Sequence, residues 1–573
     1  MSASQHIEPG KYAERLRNGT NTRDEDEHVA GCDVCRAAVA GYVARDKQQW
    51  QNDIFGVLLH FTTEMARSTF ALVLPPLKKA LKPQPTETVA RPQLPFEPLR
   101  VFLPVSYRWI QKPQGKFLAI VLLTLLVLVL PAPPGLTGPA HRAIVVFVFT
   151  AGILTMQPVS LPLAALMIPV AQILLGVANA SQSFEPFSRP VVFLILASLF
   201  LAQALRKHRI TRRLALQTIL ASKGNVRKLL FGLMAIAAVL SMWVENTGTA
   251  AVLIPVALTI SRELKDKDEA RSLLVLLVLG IAYSASLGGM VTIMGAASNA
   301  VASGFLEEIR PWSFLDWTKY GLPPFLVIFP ITWWLLLRMV PVSVERIELA
   351  GVEEGTKQMG EMSNKEKELI ATMCIAALFW IFGAVIEDYL NLPDTIFSSA
   401  VIAVMAVLYL AVRQIINWED IQGVSWGIFF IIGAGLSLGE TLTRSGATEW
   451  IANSLTPLVT GPPFWASLFL LVVISAVLTN VLNNTTIAAV LVPVLINIAS
   501  NNPGLNAVQL VIPVTLATTF GYSLPSASGR MALIGASGLV APGEMLKYGL
   551  IATAVSSVLL AAMFYWFAVM NWI

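Results

Sequence analysis

Eleven stretches of this 573-residue chain are apolar over about the length, roughly 17–25 residues, that a helix needs to cross a bilayer, or longer. They lie near 116–133, 141–156, 158–178, 189–206, 271–305, 318–340, 368–387, 395–413, 424–440, 507–539 and 548–571. Backbone polar groups at membrane depth find no water, so each stretch must satisfy its own hydrogen bonds and is read as a helix. Composition agrees: 55% of residues are hydrophobic and 13% charged, about half the charge fraction of a soluble protein. Charge is front-loaded. Residues 1–116 hold 16 Lys/Arg and 12 Asp/Glu, and the other 457 hold 25 and 24. The reading is an all-α polytopic membrane protein with a hydrophilic N-terminal region. The net charge of +5 gives no signal for nucleic acid as a partner.

Two further apolar blocks, 228–261 and 464–499, carry polar clusters at their centres. Each is read as a re-entrant hairpin that enters the membrane and returns. Basic residues flanking the spans set orientation. Arg206, Lys207, Arg209, Arg212 and Arg213 follow the fourth span, and Arg262, Lys265, Lys267 and Arg271 follow the first hairpin. Both groups are predicted cytoplasmic. Counting spans from there puts the N-terminus in the cytoplasm and Ile573 outside, in a bacterial inner (plasma) membrane. The first 50 residues contain no apolar run of signal-peptide type.

The two hairpins are copies of one another. VLSMWVENTGTAAVLIPVALTIS (Val239–Ser261) aligns with VLTNVLNNTTIAAVLVPVLINIA (Val477–Ala499) without a gap, at an offset of 238 residues, and about half of the positions are identical. Each copy is followed by a span interrupted by small residues, Ser284–Asn299 and Phe520–Gly535. The span count gives the copies opposite orientations. Inverted-topology repeats of this kind place solute and coupling-ion sites at the repeat interface near the midplane.

The polar clusters suit such a site. A hairpin tip leaves free N–H groups at one helix start and free carbonyls at another helix end. Free N–H groups favour anions. Carbonyls with Asn and Thr side-chain oxygens suit a hard cation. Glu245-Asn246-Thr247 and Asn483-Asn484-Thr485 supply these groups once per repeat, and Gly288, Gly289 and Gly295 permit close backbone approach.

At these motifs the chain resembles the divalent anion:sodium symporter family, carriers of di- and tricarboxylates and sulfate. The family has Ser-Asn-Thr at each hairpin tip and a small-Pro-Pro-Asn stretch in each broken helix. The resemblance spans about 116–573. It implies eleven transmembrane helices plus two hairpins, a homodimer, and elevator-type alternating access coupled to sodium. Carried over residue by residue, it implies that Ser241, Asn246, Gly295 and Asn299 bind one sodium ion and that Thr479, Asn484 and Ala527 bind a second. It places Glu245, Thr247, Ala296, Asn483, Thr485, Ser528, Gly529 and Arg530 toward a small anionic solute.

The departures are specific. The first triplet begins with Glu245, and the second with Asn483. The first broken helix reads Gly295-Ala296-Ala297-Ser298-Asn299, without prolines; the second reads Ala527-Ser528-Gly529-Arg530-Met531. An ionisable group at the membrane centre costs about 2.5–3.5 kcal/mol and is functional by default. Three readings stand. Glu245 and Arg530 form an ion pair across the site. Arg530 replaces a sodium ion or binds a solute carboxylate while Glu245 carries a proton. The solute is not a simple dianion.

The domains are read as a module at 1–50, an amphipathic helix and Pro-rich linker at 51–115, the first repeat with its preceding helix at 116–345, a cytoplasmic linker at 346–367 and the second repeat at 368–573. In the first of these, His28-x3-Cys32-x2-Cys35 resembles the zinc motif of anti-sigma factor domains, with His6 as fourth ligand. That resemblance implies a zinc ion and a cytoplasmic protein partner. The functional expectation is secondary active transport of small anions coupled to sodium, protons or both. The alternative is a membrane sensor that signals through the N-terminal module. The apolar region shows no nucleophile–base pair and no phosphate loop, so no enzyme is expected.

Overall fold

In the computed structural model the described residues are 112–572, apart from 394, 395 and 481. His6, His28, Cys32, Cys35 and the proposed 1–50 and most of the 51–115 segments lie outside them. The described chain is helical, with a single isolated bridge between Asn225 and Arg346. In order, the helices are α1 (Pro113–Val129), α2 (Gly138–Met156), α3 (Leu161–Leu174), α4 (Ala180–Phe184), α5 (Pro190–Lys207), α6 (Ile210–Ala221), α7 (Val226–Ser241), α8 (Asn246–Ser261), α9 (Lys267–Gly289), α10 (Ala297–Glu307) and α11 (Phe314–Met339). Then follow α12 (Ala350–Met359), α13 (Asn364–Leu390), α14 (Ser399–Val412), α15 (Trp418–Gln422), α16 (Gly427–Arg444), α17 (Ala447–Thr460), α18 (Phe464–Leu478), α19 (Asn484–Ser500), α20 (Ala507–Ala517), α21 (Gly529–Ser537) and α22 (Pro542–Val569).

Every predicted apolar span becomes helix. Among the described residues, α2, α5, α9, α11, α13 and α22 are long and apolar enough to cross a membrane. The others are shorter or interrupted. Local sequence sets many of the ends. Proline stands in the first turn of α1, α2, α3, α5 and α22, where no N–H is needed. Ser313 with Asp316, and Ser363 with Glu366, make reciprocal caps that start α11 and α13. Large apolar side chains such as Leu122, Leu126 and Val129 on α1 and Ile375, Leu378, Phe382 and Val385 on α13 stay exposed, as a lipid-facing surface requires.

Both hairpins form. The first hairpin turns at 242–245 between α7 and α8; in the second, α18 ends at Leu478 and α19 begins at Asn484. Both interrupted spans form too. The 271–305 stretch breaks between α9 and α10, and the 507–539 stretch between α20 and α21. Glycine allows the first hairpin to seat against its broken helix. A Cβ on Gly288 would lie 2.0 Å from the Ala238 carbonyl oxygen, and one on Gly295 would lie 2.3 Å from that of Gly289. A large apolar core joins the hairpins and broken helices to α5, α11 and α22; a smaller one joins α1–α3 to α16.

The 346–367 segment is more than a linker. It contains α12, and Arg213 of α6 reaches into it. The buried Arg213 guanidinium donates to the carbonyls of Met359, Gly360 and Glu361 and meets Glu366 at 3.4 Å. Arg213, grouped in sequence with topogenic surface charge, is therefore a packed structural residue.

Candidate functional site

The first tip is built by helix ends. Helix α7 stops at Ser241 and α8 starts at Asn246, so polar side chains stand where backbone groups lack helical partners. The Ser241 hydroxyl is hydrogen-bonded to the Asn246 amide. One end of the Asn246 amide lies 3.0 Å from the Ala285 carbonyl oxygen and 3.1 Å from that of Gly295. With nitrogen at that end, the amide donates to both carbonyls. With oxygen there, it joins Ser241, Ala285 and Gly295 in an all-oxygen set of the kind a hard cation takes. Ser241, Asn246 and Gly295 are all buried. Asn299 braces the break, donating from Nδ2 to the carbonyls of Gly289 (2.9 Å) and Thr292 (2.8 Å). Its Oδ1 is buried with no partner among the described residues.

The second tip repeats the pattern. The Thr479 hydroxyl lies against Asn484 Oδ1 and 2.8 Å from the Thr518 carbonyl oxygen. One proton cannot serve both acceptors, so this cluster is also oxygen-rich. Ala527 and Gly521 close it: a Cβ on Gly521 would lie 3.1 Å from that of Ala527 and 3.4 Å from Thr479 Oγ1.

The tips are chemically unlike where the sequence is unlike. Glu245 folds over the start of α8. Its carboxylate accepts from Thr247 N (2.9 Å), Gly248 N (3.2 Å) and the Thr247 hydroxyl (2.8 Å). At the second tip, Asn483 Oδ1 accepts from Thr485 N alone (2.9 Å). Arg530 is 2% exposed. Its guanidinium donates to the carbonyls of Thr519 (3.1 Å) and Gly521 (3.3 Å), beside the second oxygen cluster. No ion pair within 4 Å joins Glu245 and Arg530 among the described residues. The reading of a direct ion pair across the site is therefore corrected: helix amides and carbonyls outcompete it for both side chains.

The two halves interlock. The first tip packs on the second broken helix, where a Cβ on Gly529 would lie 2.6 Å from Thr247 Oγ1. The second tip's helix α19 packs on α10, and Ser298 of α10 accepts from the Thr518 hydroxyl at 3.0 Å. Ala296 and Ser528 cap α10 and α21 in extended conformation. Thr485 faces α16, with its methyl 3.3 Å from a Cβ on Gly435.

Some residues were missed. Ala285 contributes only its carbonyl, which no side-chain motif reveals. Thr518 and Ser298 link the halves but read in sequence as ordinary small polar residues. Arg206 lies over the first turn of α8, 3.8 Å from a Cβ on Gly248, half-buried with its Nε unpartnered among the described residues. Its place in a run of basic residues points only to orientation and gives no sign of this packing. Tyr283 and Tyr522 are fully buried with ring centroids 4.5 Å apart. No group of three or more His, Cys, Asp or Glu side chains positioned for a metal occurs among the described residues.

The sequence profile of the sodium:sulfate symporter transmembrane region matches residues 111–572. An uncharacterised transporter of Haemophilus influenzae is 30% identical over 456 residues, 78% of this chain and 96% of that one. The sodium-dependent dicarboxylate transporter SdcS of Staphylococcus aureus is 26% identical over 438 residues, 71% of this chain and 82% of that one. Among solved structures, MtrF of Neisseria gonorrhoeae, described with a class of antimetabolite efflux pumps, aligns at a TM-score of 0.49 and 12% identity. The alignment covers 81% of this chain and 95% of that one.

Proposed function

Because the chain belongs to the sodium:sulfate symporter family, the divalent anion:sodium symporters, we propose that it is a secondary active transporter that couples entry of a small anion to sodium by alternating access. The observation that carries this is the convergence of the Ser241 hydroxyl and the Ala285 and Gly295 carbonyls on the Asn246 amide in a buried setting. A sodium ion there accompanies the solute as cargo. Its positive charge offsets the charge of an anion held beside Thr485, Ser528 and Gly529.

The second cluster differs. Thr479, Asn484, the Thr518 carbonyl and Ala527 form its oxygen wall, but Arg530 already presents a cation to the adjoining carbonyls of Thr519 and Gly521. In this proposal Arg530 is a tethered cation that stands in for one sodium ion, so one mobile sodium moves per cycle. The working unit is a homodimer, with each protomer carrying its own site. Uptake into proteoliposomes as a function of sodium tests the stoichiometry. A sodium Hill coefficient near one is expected, and a value of two or more would refute the tethered-cation assignment.

A further inference from the structure

An anion between two helix starts needs unpaired donors at both. At the first tip those donors are spent. The Glu245 carboxylate takes Thr247 N, Gly248 N and the Thr247 hydroxyl, and the Thr249 amide is used by the Glu245 carbonyl at 3.2 Å. A bidentate carboxylate on two amides and a hydroxyl is the arrangement an incoming carboxylate would itself adopt at a helix N-terminus. At the second tip fewer donors are taken, although the Asn483 carbonyl holds the Ile487 amide at 3.2 Å just as the Glu245 carbonyl holds that of Thr249. Neutral Asn483 takes only the Thr485 amide, and Thr485, 4% exposed, keeps a hydroxyl with no hydrogen bond among the described residues. Arg530, starting from the helix that packs on Thr247, also keeps Nε unpartnered among the described residues.

We propose that Glu245 is a resident carboxylate filling the first of two anion places, so that the solute of this transporter is a monoanion, a small monocarboxylate, held by the second tip. This deepens the reading of the chain as a sodium-coupled anion transporter and rests on it. A dianion would have to displace Glu245 from three donors or set its second charge beside a fixed negative one. A monocarboxylate meets neither obstacle. Arg206 reaches over the first turn of α8 from the α5 side.

Butyrate and succinate separate the alternatives, because they share a four-carbon chain and differ by one carboxylate. Their binding to purified full-length protein in sodium is measured by titration calorimetry, for wild type, Glu245→Ser and Glu245→Gln. Wild type is expected to bind butyrate at least about ten-fold more tightly than succinate. Glu245→Ser is expected to reverse that preference, and Glu245→Gln, which keeps the side-chain shape and a cap on α8, to narrow it. Succinate bound more tightly than butyrate by wild type would overturn the monoanion assignment while leaving anion transport standing. A preference for butyrate that neither variant alters would overturn the role of Glu245. If wild type binds neither of these anions nor sulfate, with and without sodium, the transporter reading falls and this inference with it.

Discussion

Glu245 and Arg530 each satisfy backbone groups at a helix terminus. Glu245 sits where a helix start presents free amides, and Arg530 where a helix end presents free carbonyls. Each binds the helix terminus that its charge suits. Replacing Arg530 by Met removes the tethered cation and leaves the Thr479–Asn484–Thr518 oxygens exposed to a second sodium. The sodium Hill coefficient of uptake is expected to rise from about one toward two, and half-maximal uptake to need more sodium. Asn246→Ala removes the centre of the first cluster. Its expected effect is at least a ten-fold rise in the sodium concentration for half-maximal uptake, which corresponds to about 1.4 kcal/mol. Sodium titration of transport reads both.

Among the elements, the hairpins depend on backbone contact that only glycine permits. Gly288→Ala would drive a methyl to 2.0 Å from the Ala238 carbonyl oxygen and is expected to cost about 3 kcal/mol by overpacking. Gly543→Ala in the first turn of α22 has nothing within 4 Å of its added methyl and is expected to be neutral or slightly stabilising. Thermal midpoints in detergent distinguish the two. Arg213→Met leaves Glu366 buried without its cation, a change expected to cost about 3 kcal/mol and to lower the midpoint by several degrees. These elements were legible in the sequence to different depths. Apolar length revealed the spans, and the matched ENT and NNT triplets revealed the tips, because polarity at membrane depth is rare enough to stand out. The partners of Glu245 and Arg530 were not legible. Both bind backbone atoms, and backbone donors and acceptors leave no mark on residue identity. The packing of Arg206 and Arg213 was not legible either: charge at a span end signals orientation, and burial there depends on which distant segment folds over it.

For the whole molecule, the repeat gives two half-sites that lock together through α8 with α21 and α10 with α19. In the proposed transport cycle that interlock would carry both tips together. The exposed apolar faces of α1 and α13 are available to lipid and to a second copy, and a molecular mass of two chains is expected from light scattering in mild detergent. The most direct test of the account is accumulation of a labelled small anion, from a panel of butyrate, succinate and sulfate, in proteoliposomes under an inward sodium gradient. At least one anion should accumulate above its external concentration, and that accumulation should collapse when the gradient is dissipated or Asn246 is replaced by Ala. Accumulation indifferent to the sodium gradient and to Asn246, or mere equilibration of every anion, would contradict it.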